Sequence, residues 1–454
     1  MSPHTSHHTT PAPTIVVAPD SFKGSLDAAA AAQAIARGIR TTLPEATIHI
    51  IPMADGGEGT VAAALGGLPD ATAHTVTVAG PLLTPTRATY ALRPATATEP
   101  ATAVVDAASA CGLHLIPDTE RTDAGTPTAT AARTATSRGL GELCAHVLDH
   151  ALTAHLAADG QPGGQADRPA LRLIIGLGGT ATTDGGLGAL LALGARISVS
   201  SPDPAAAEDT ASDTAAITDI TDLPTTEAQI KVDLSGLDPR WEHVEVELAC
   251  DVDNPLTGPR GAAQIFGPQK GLSDADIPER DRLLHILGTA LCQARGTHPT
   301  NLDCTTPGGG AAGGLGLALM AALGATMTPG AGLLAQIVGL PQAIAAADLV
   351  ITGEGRIDGQ TAGGKTPWGV AQLAHAAGVP TIALAGSVDG VFPLLTQAAA
   401  PAPGFAAVLP IVPGPIPLAE AIAPKNAAEN LAHAAAMAMR LITIPLNTAP
   451  AAGD

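Results

Sequence analysis

The stretch TIVVAPDSFKGSLDAAAAAQAIARGIRTTL (14–43) decides the fold. Its apolar start reads as a strand that closes on Asp20. A glycine turn follows, then an alanine-rich helix with Ser25 or Asp27 as the cap. The rhythm repeats at once: ATIHIIPMAD (46–55) ends on an acid, DGGEGT (55–60) turns, and VAAALGG (61–67) resumes a helix. Strand, acidic terminus, glycine turn and helix is the pattern of an open α/β sheet, whose ligands collect at the carboxyl ends of its strands. LVITGEG (349–355), VPTIALAGSVDG (379–390) and FAAVLPIV (405–412) restore that pattern late in the chain.

Between these ends the texture changes. HTVTVAG (74–80) and TRATYALRP (86–94) alternate like half-exposed strands, and LRLIIGLGG (171–179) reads as a buried one. With 454 residues the chain exceeds the size of a single core, so two domains are expected. The shared texture of the two ends predicts a discontinuous α/β domain, 14–75 with 300–445, around an inserted α/β domain, 76–299. Residues 1–13 and 446–454 read as tails. The Ala/Pro/Asp/Gly-rich segments 159–169 and 201–216 read as flexible surface loops.

A net charge of −20 spread along the chain argues against nucleic acid or an anionic membrane as partner. Only 2% of residues are aromatic, which removes base-stacking platforms as well. No apolar run approaches a membrane span, and the polar start MSPHTSHHTTPAPT does not read as a signal peptide. Five scattered cysteines fit buried thiols in a reducing cytoplasm better than a disulfide frame or a zinc site.

The chemistry-bearing segments are dense in glycine and charge. PDSFKGS (19–25) carries Asp20 and Lys23 at a strand–helix junction, where they could bind a hydroxyacid or a phosphate–metal complex, or simply cap and solvate. In ADGGEGT, Gly56 and Gly57 permit close backbone approach, while Asp55 and Glu58 offer oxygens to a divalent cation. GLGGTATTDGGLG (176–188) makes a crook of Gly178, Gly179, Thr180, Thr182 and Thr183 before Asp184. Phosphoryl transfer needs a carboxylate near the acceptor hydroxyl, so Asp184 is the expected base or orienting group, with a helix cap as its alternative. ACDVDNP (249–255) offers Asp251 and Asp253, of which Asp253 is taken as a substrate ligand, and GPQKG (267–271) presents Lys270 in a tight turn. GQTAGGKT (359–366) matches the GxxxxGK[ST] phosphate loop literally. The strand before it reads as ending near Thr352, six residues too early, so the match is taken as coincidental while Gly363, Gly364 and Lys365 remain phosphate ligands. Glu354 and Asp358 flank Arg356 as magnesium or substrate groups. No HExxH, GxSxG or GxGxxG context supports a metalloprotease, a hydrolase or a dinucleotide enzyme.

Six of these segments in register, APDSFKGSL (18–26), PMADGGEGT (52–60), GLGGTATTDGG (176–186), ACDVDNPLTG (249–258), FGPQKG (266–271) and ITGEGRIDGQTAGGKTPWGVA (351–371), resemble the glycerate kinase family that includes the bacterial glycerate 2-kinases. The likeness runs from about residue 14 to 441. It implies ATP-dependent, magnesium-assisted phosphorylation of D-glycerate to 2-phosphoglycerate by a flavodoxin-like domain and a second α/β domain, with the active site in the cleft between them. It further implies that 18–26, 52–60 and 351–371 belong to the discontinuous domain. Where relatives read GIGGSATNDGG, this chain has Thr180 for a serine and Thr183 for an asparagine, so a hydroxyl survives at the first position and an amide is lost at the second.

The expected roles follow. Asp184, Lys23 and Lys270 serve catalysis; Gly56, Gly57, Gly178, Gly179, Thr180, Gly363, Gly364 and Lys365 hold ATP; Asp20, Lys23, Thr183, Asp253 and Arg356 hold glycerate; Asp55, Glu58, Glu354 and Asp358 hold Mg2+. A monomer or homodimer in the cytoplasm is expected. The rivals are a glycerate 3-kinase, a kinase of another small hydroxyacid, and a non-enzymatic nucleotide sensor.

Overall fold

The computed structural model describes residues 12–57, 59–158, 169–200, 215–223, 229–294, 301–359, 361, 365–390, 395 and 403–444. In chain order its strands are β1 (Thr14–Val17), β2 (Thr47–Ile50), β3 (Thr72–Ala79), β4 (Pro85–Arg93), β5 (Ala101–Asp106), β6 (Leu171–Gly176) and β7 (Arg196–Ser200). They continue with β8 (Ala215–Ala216), β9 (Gln229–Asp233), β10 (Val244–Ala249), β11 (Thr326–Thr328), β12 (Leu349–Ile357), β13 (Thr381–Val388) and β14 (Ala407–Pro410). The chain divides into two compact units: a discontinuous one, up to Ala54 and from Ala335 onward, and an inserted one, Asp55–Leu334.

The discontinuous unit carries a five-stranded parallel sheet in the order β2-β1-β12-β13-β14. Renumbered within the unit this is 2-1-3-4-5, the flavodoxin-like order, whose switch point lies between β1 and β12. Asp27 starts the helix Ala28–Thr42, its carboxylate accepting from the Ala30 N–H at 2.7 Å. The buried stripe Ala31, Ala32, Ile35 and Ile39 then joins Ile15, Val17, Ile351 and Leu431 in one core. Small residues let this helix lie against Pro424–Thr443 so closely that a Cβ on Gly38 would stand 2.0 Å from the Ala432 carbonyl oxygen.

The inserted unit holds a six-stranded sheet in the order β11-β10-β6-β5-β4-β3. β11, β10, β6 and β5 run parallel, whereas β4 and β3 are antiparallel. That accounts for the two textures in the sequence: β5 is buried along its whole length, while β3, at the edge, alternates between exposed and partly buried positions. A smaller antiparallel sheet, β8-β7-β9, completes the unit.

Two expectations shift. The breaks anticipated near 75 and 300 differ from those of the compact units, because β3 pairs along its length with β4 and β11 pairs with β10. Residues 55–60 accordingly go with the inserted unit, not with the discontinuous one. The strand expected to stop near Thr352 runs on to Ile357, with Glu354 opposite Ala385 and Arg356 opposite Ser387. Gly353 suits that continuation, since a Cβ there would lie 2.3 Å from the Leu384 carbonyl oxygen. The anticipated surface loops fall, at 159–168 and 201–214, outside the described residues.

Candidate active site

In the inserted unit, the turn after Asp55 lies directly on the carboxyl ends of β6 and β10. Gly178 donates its N–H to the Gly56 carbonyl at 3.1 Å. A Cβ on Gly178 would meet Gly57 Cα at 2.5 Å, and one on Gly56, whose φ is +85°, would meet the Ala249 carbonyl oxygen at 2.5 Å. These glycines are therefore demanded by backbone-on-backbone packing. The Asp55 carboxylate accepts from the Gly57 N–H at 3.0 Å and shapes the turn.

This arrangement opens a cavity of about 190 Å³, lined by Asp55, Gly57, Gly178, Gly179, Thr180 and Lys270 among the anticipated residues. Lys270 ends the short turn Pro268–Lys270, which Gly271 terminates at a φ of +96°. Its side chain is 4% exposed. The ammonium donates to the Thr180 hydroxyl at 3.2 Å and to the Thr182 carbonyl at 2.7 Å. Among the described residues no carboxylate lies within ion-pair distance of it. Burial pulls its pKa down to about 8, against the opposing influence of Cys111 and Asp184. The Cys111 thiol is itself pushed up to about 12 by burial and stays neutral. A buried cation without a contacting anion is costly unless a ligand supplies one.

Asp184, expected as base or orienting group, is held by a dense set of donors. It is 3% exposed and does not line the cavity. One of its oxygens accepts from the Ser137 N–H and hydroxyl, both at 2.8 Å, and from the Gly188 N–H at 3.2 Å. The other accepts from the Gly186 N–H at 3.1 Å. A carboxylate so engaged ties the start of the helix Leu187–Ala192 to the chain before Arg138. Thr183 is also buried, its hydroxyl without a hydrogen-bond partner among the described residues, and Asp253 points to solvent in an ion pair with Arg260 at 2.6 Å.

Sequence reading missed Gln269, Phe266 and Cys250, and preferred Asp253 over Asp251; all four of the overlooked side chains line the cavity. Strand alternation would have put Asp251 and Asp253 on one side, but β10 stops at Ala249 and the alternation stops with it. Asp251 instead turns back to accept from the Gly330 N–H at 2.8 Å. For Gln269, adjacency to Lys270 within GPQKG was the available signal.

In the discontinuous unit the remaining residues gather at the carboxyl ends of β1 and β12, beside the switch point. Asp20 donates its N–H to the Gly353 carbonyl at 2.8 Å, and Lys23 projects into solvent from the turn Phe22–Leu26. The Glu354 carboxylate accepts from the Thr361 hydroxyl at 3.2 Å and faces the Lys365 ammonium at 4.0 Å. Burial pushes its pKa up to about 7, with Asp20 and Asp358 adding to the rise and Lys365 opposing it. Arg356 pairs with Asp358 at 3.1 Å. Because β12 reaches Ile357, the 359–366 segment follows its strand almost directly, and Lys365 sits at the cap of the helix Thr366–Ala376. Glu58, Gly363 and Gly364 lie outside the described residues. Among the described residues no three His, Cys, Asp or Glu side chains are grouped to cage a metal. No described helix is long and apolar enough to cross a membrane.

The model of the glycerate kinase family matches residues 15–443. The chain is 39% identical over 429 residues to a glycerate kinase of Bacillus subtilis (strain 168), covering 93% of this chain and 95% of the relative. It is 38% identical over 395 residues to a glycerate 2-kinase of Escherichia coli (strain K12), covering 84% and 91% respectively. A crystal structure from Salmonella typhimurium LT2, assigned to a glycerate kinase 2, superposes with a TM-score of 0.71 at 35% identity, over 95% of this chain and 98% of that one.

Proposed function

The chain belongs to the glycerate kinase family, a family of kinases with an alcohol acceptor, and from that premise we propose that it transfers the γ-phosphoryl group of ATP to D-glycerate, giving 2-phosphoglycerate. The observation that carries this reading is the buried Lys270 ammonium, held by Thr180 at the edge of a cavity of about 190 Å³. The printed name of the Escherichia coli relative favours the 2-hydroxyl as acceptor.

In this proposal the discontinuous unit takes the nucleotide. Lys365 offsets phosphate charge, and the carboxyl ends of β1 and β12 flank the position where open α/β sheets bind ligands. Magnesium is commonly held by one or two carboxylates together with substrate phosphates, so a three-ligand cage is not required. Glu354 and Asp20 fit that donor set: hard oxygens in a partly buried place, where Glu354 is kept from ionising freely and a cation would favour its charged form. When bound, the ion neutralises charge on the phosphates. The inserted unit supplies the acceptor pocket, with Lys270 as cation and the Gly178–Gly179–Thr180 crook as its wall. Asp55 stays with that pocket, as a turn-shaping carboxylate.

The test is ADP release by purified protein with ATP and a panel of acids: D-glycerate, L-glycerate, lactate, tartronate and gluconate. D-glycerate is expected to give the highest kcat/KM, by at least ~10²-fold over lactate, since a site built to hydrogen-bond both hydroxyls rejects the analogue that lacks one. Equal or better turnover of another acid would replace glycerate in the reading.

A further inference from the structure

Lys270 presents an unmet need for an anion. Its ammonium has three N–H groups, and two are engaged, by the Thr180 hydroxyl and the Thr182 carbonyl. Both of those partners are neutral. Asp184 acts on it electrostatically, but its oxygens are already committed to Ser137, Gly186 and Gly188. A charge this deeply buried is tolerated where a bound anion completes it.

Two anions are available in the proposed reaction, a phosphate of ATP and the carboxylate of the acid. The lining distinguishes them. The cavity, about 190 Å³, admits a three-carbon acid. Asp55 and Asp251 also line it. Carboxylates repel the several charges of a triphosphate more than the single charge of glycerate, and they accept hydrogen bonds from its two hydroxyls. Gln269 adds an amide that can serve either partner, and Phe266 and Leu177 close the wall with carbon.

From this geometry we propose that Lys270 and Thr180 form the carboxylate subsite for the acceptor acid, placing glycerate in the inserted unit and removing that task from Lys23 and Arg356. The inference rests on the kinase reading above. Lys23 is exposed in its turn, and Arg356 is engaged by Asp358, so neither offers a desolvated cation to a small anion.

The experiment is titration calorimetry on the full chain, with D-glycerate, its neutral amide D-glyceramide, and the ATP analogue AMP-PNP with Mg2+ as separate ligands. Wild-type protein is expected to bind D-glycerate without nucleotide and to prefer it over D-glyceramide. Lys270→Met should weaken D-glycerate by at least ~30-fold, the usual loss when one partner of a buried charge pair is removed. It should leave D-glyceramide and AMP-PNP within about threefold, since neither depends on that charge. Thr180→Val, a milder change that only frees the ammonium to move, should weaken D-glycerate by about fivefold and serves if the lysine variant fails to fold. Failure of wild-type protein to bind D-glycerate alone would overturn the subsite. So would loss of AMP-PNP rather than glycerate affinity in Lys270→Met, or equal losses for glycerate and its amide. Absence of D-glycerate turnover by the wild type is a different result: it removes the kinase reading and is read from ADP release, not from calorimetry.

Discussion

The Lys270 ammonium stands 3.2 Å from the Thr180 hydroxyl, although the two residues are 90 positions apart in the chain. The fold spends stability to hold a cation there. Replacing Lys270 by Met removes the burial cost while keeping most of the side-chain volume. Turnover of D-glycerate should fall by at least ~10²-fold, yet the thermal midpoint at pH 7 should rise by a few degrees. Calorimetric melting beside an activity assay checks both; a lower midpoint would mean that Lys270 is a structural cation.

The same lysine sets a pH dependence. Its folded pKa, about 8, lies below the ordinary value of 10.5, so the folded protein binds fewer protons than the unfolded one between those pH values. The burial cost is complete below pH 8 and fades as pH rises towards 10.5. The midpoint advantage of Lys270→Met should therefore shrink across that window. In the wild type, kcat/KM for D-glycerate should decline as pH passes about 8, because that ratio reports the free enzyme. A flat profile to pH 9.5 would contradict a role for the charged amine.

Asp184 is expected to behave as an anchor. In Asp184→Asn the amide oxygen can keep the Ser137 and Gly188 donors, but the NH2 group then faces the Gly186 N–H, costing ~1–3 kcal/mol. The thermal midpoint should drop, while turnover per folded molecule well below the transition stays within about tenfold of wild type. Unchanged stability with a ~10²-fold loss of turnover would return Asp184 to the chemistry.

How much of this was legible beforehand follows from the range of the interactions. The strand, acid, glycine and helix cadence around Asp20 and Asp55 is local, and it gave away the α/β sheets. The unit boundaries were less readable, because Thr72–Ala79 looks the same whichever sheet it joins. Asp184 looked catalytic because Ser137, its principal partner, is 47 residues away. Asp253 looked like a ligand because nothing in ACDVDNP announces that β10 ends at Ala249. Lys270 was visible as a lysine in a tight glycine turn, but its desolvation and the Thr180 contact needed the three-dimensional arrangement.

On the nucleotide side, Glu354→Gln removes a carboxylate that can ionise beside Lys365. Affinity for AMP-PNP with Mg2+ should fall by about tenfold, with D-glycerate binding alone unaffected. Lys365→Ala should produce a similar loss. Calorimetry separates the two ligands, and weakened D-glycerate binding in either variant would contradict the assignment of nucleotide to the discontinuous unit.

The most direct measurement is phosphorus NMR of the products from purified protein, ATP, Mg2+ and D-glycerate. A phosphomonoester coupled to the single proton on carbon 2, formed in step with ADP, is the expected result. Coupling to the two protons of carbon 3 would contradict the regiochemistry. Inorganic phosphate as the only new species would contradict glycerate as acceptor.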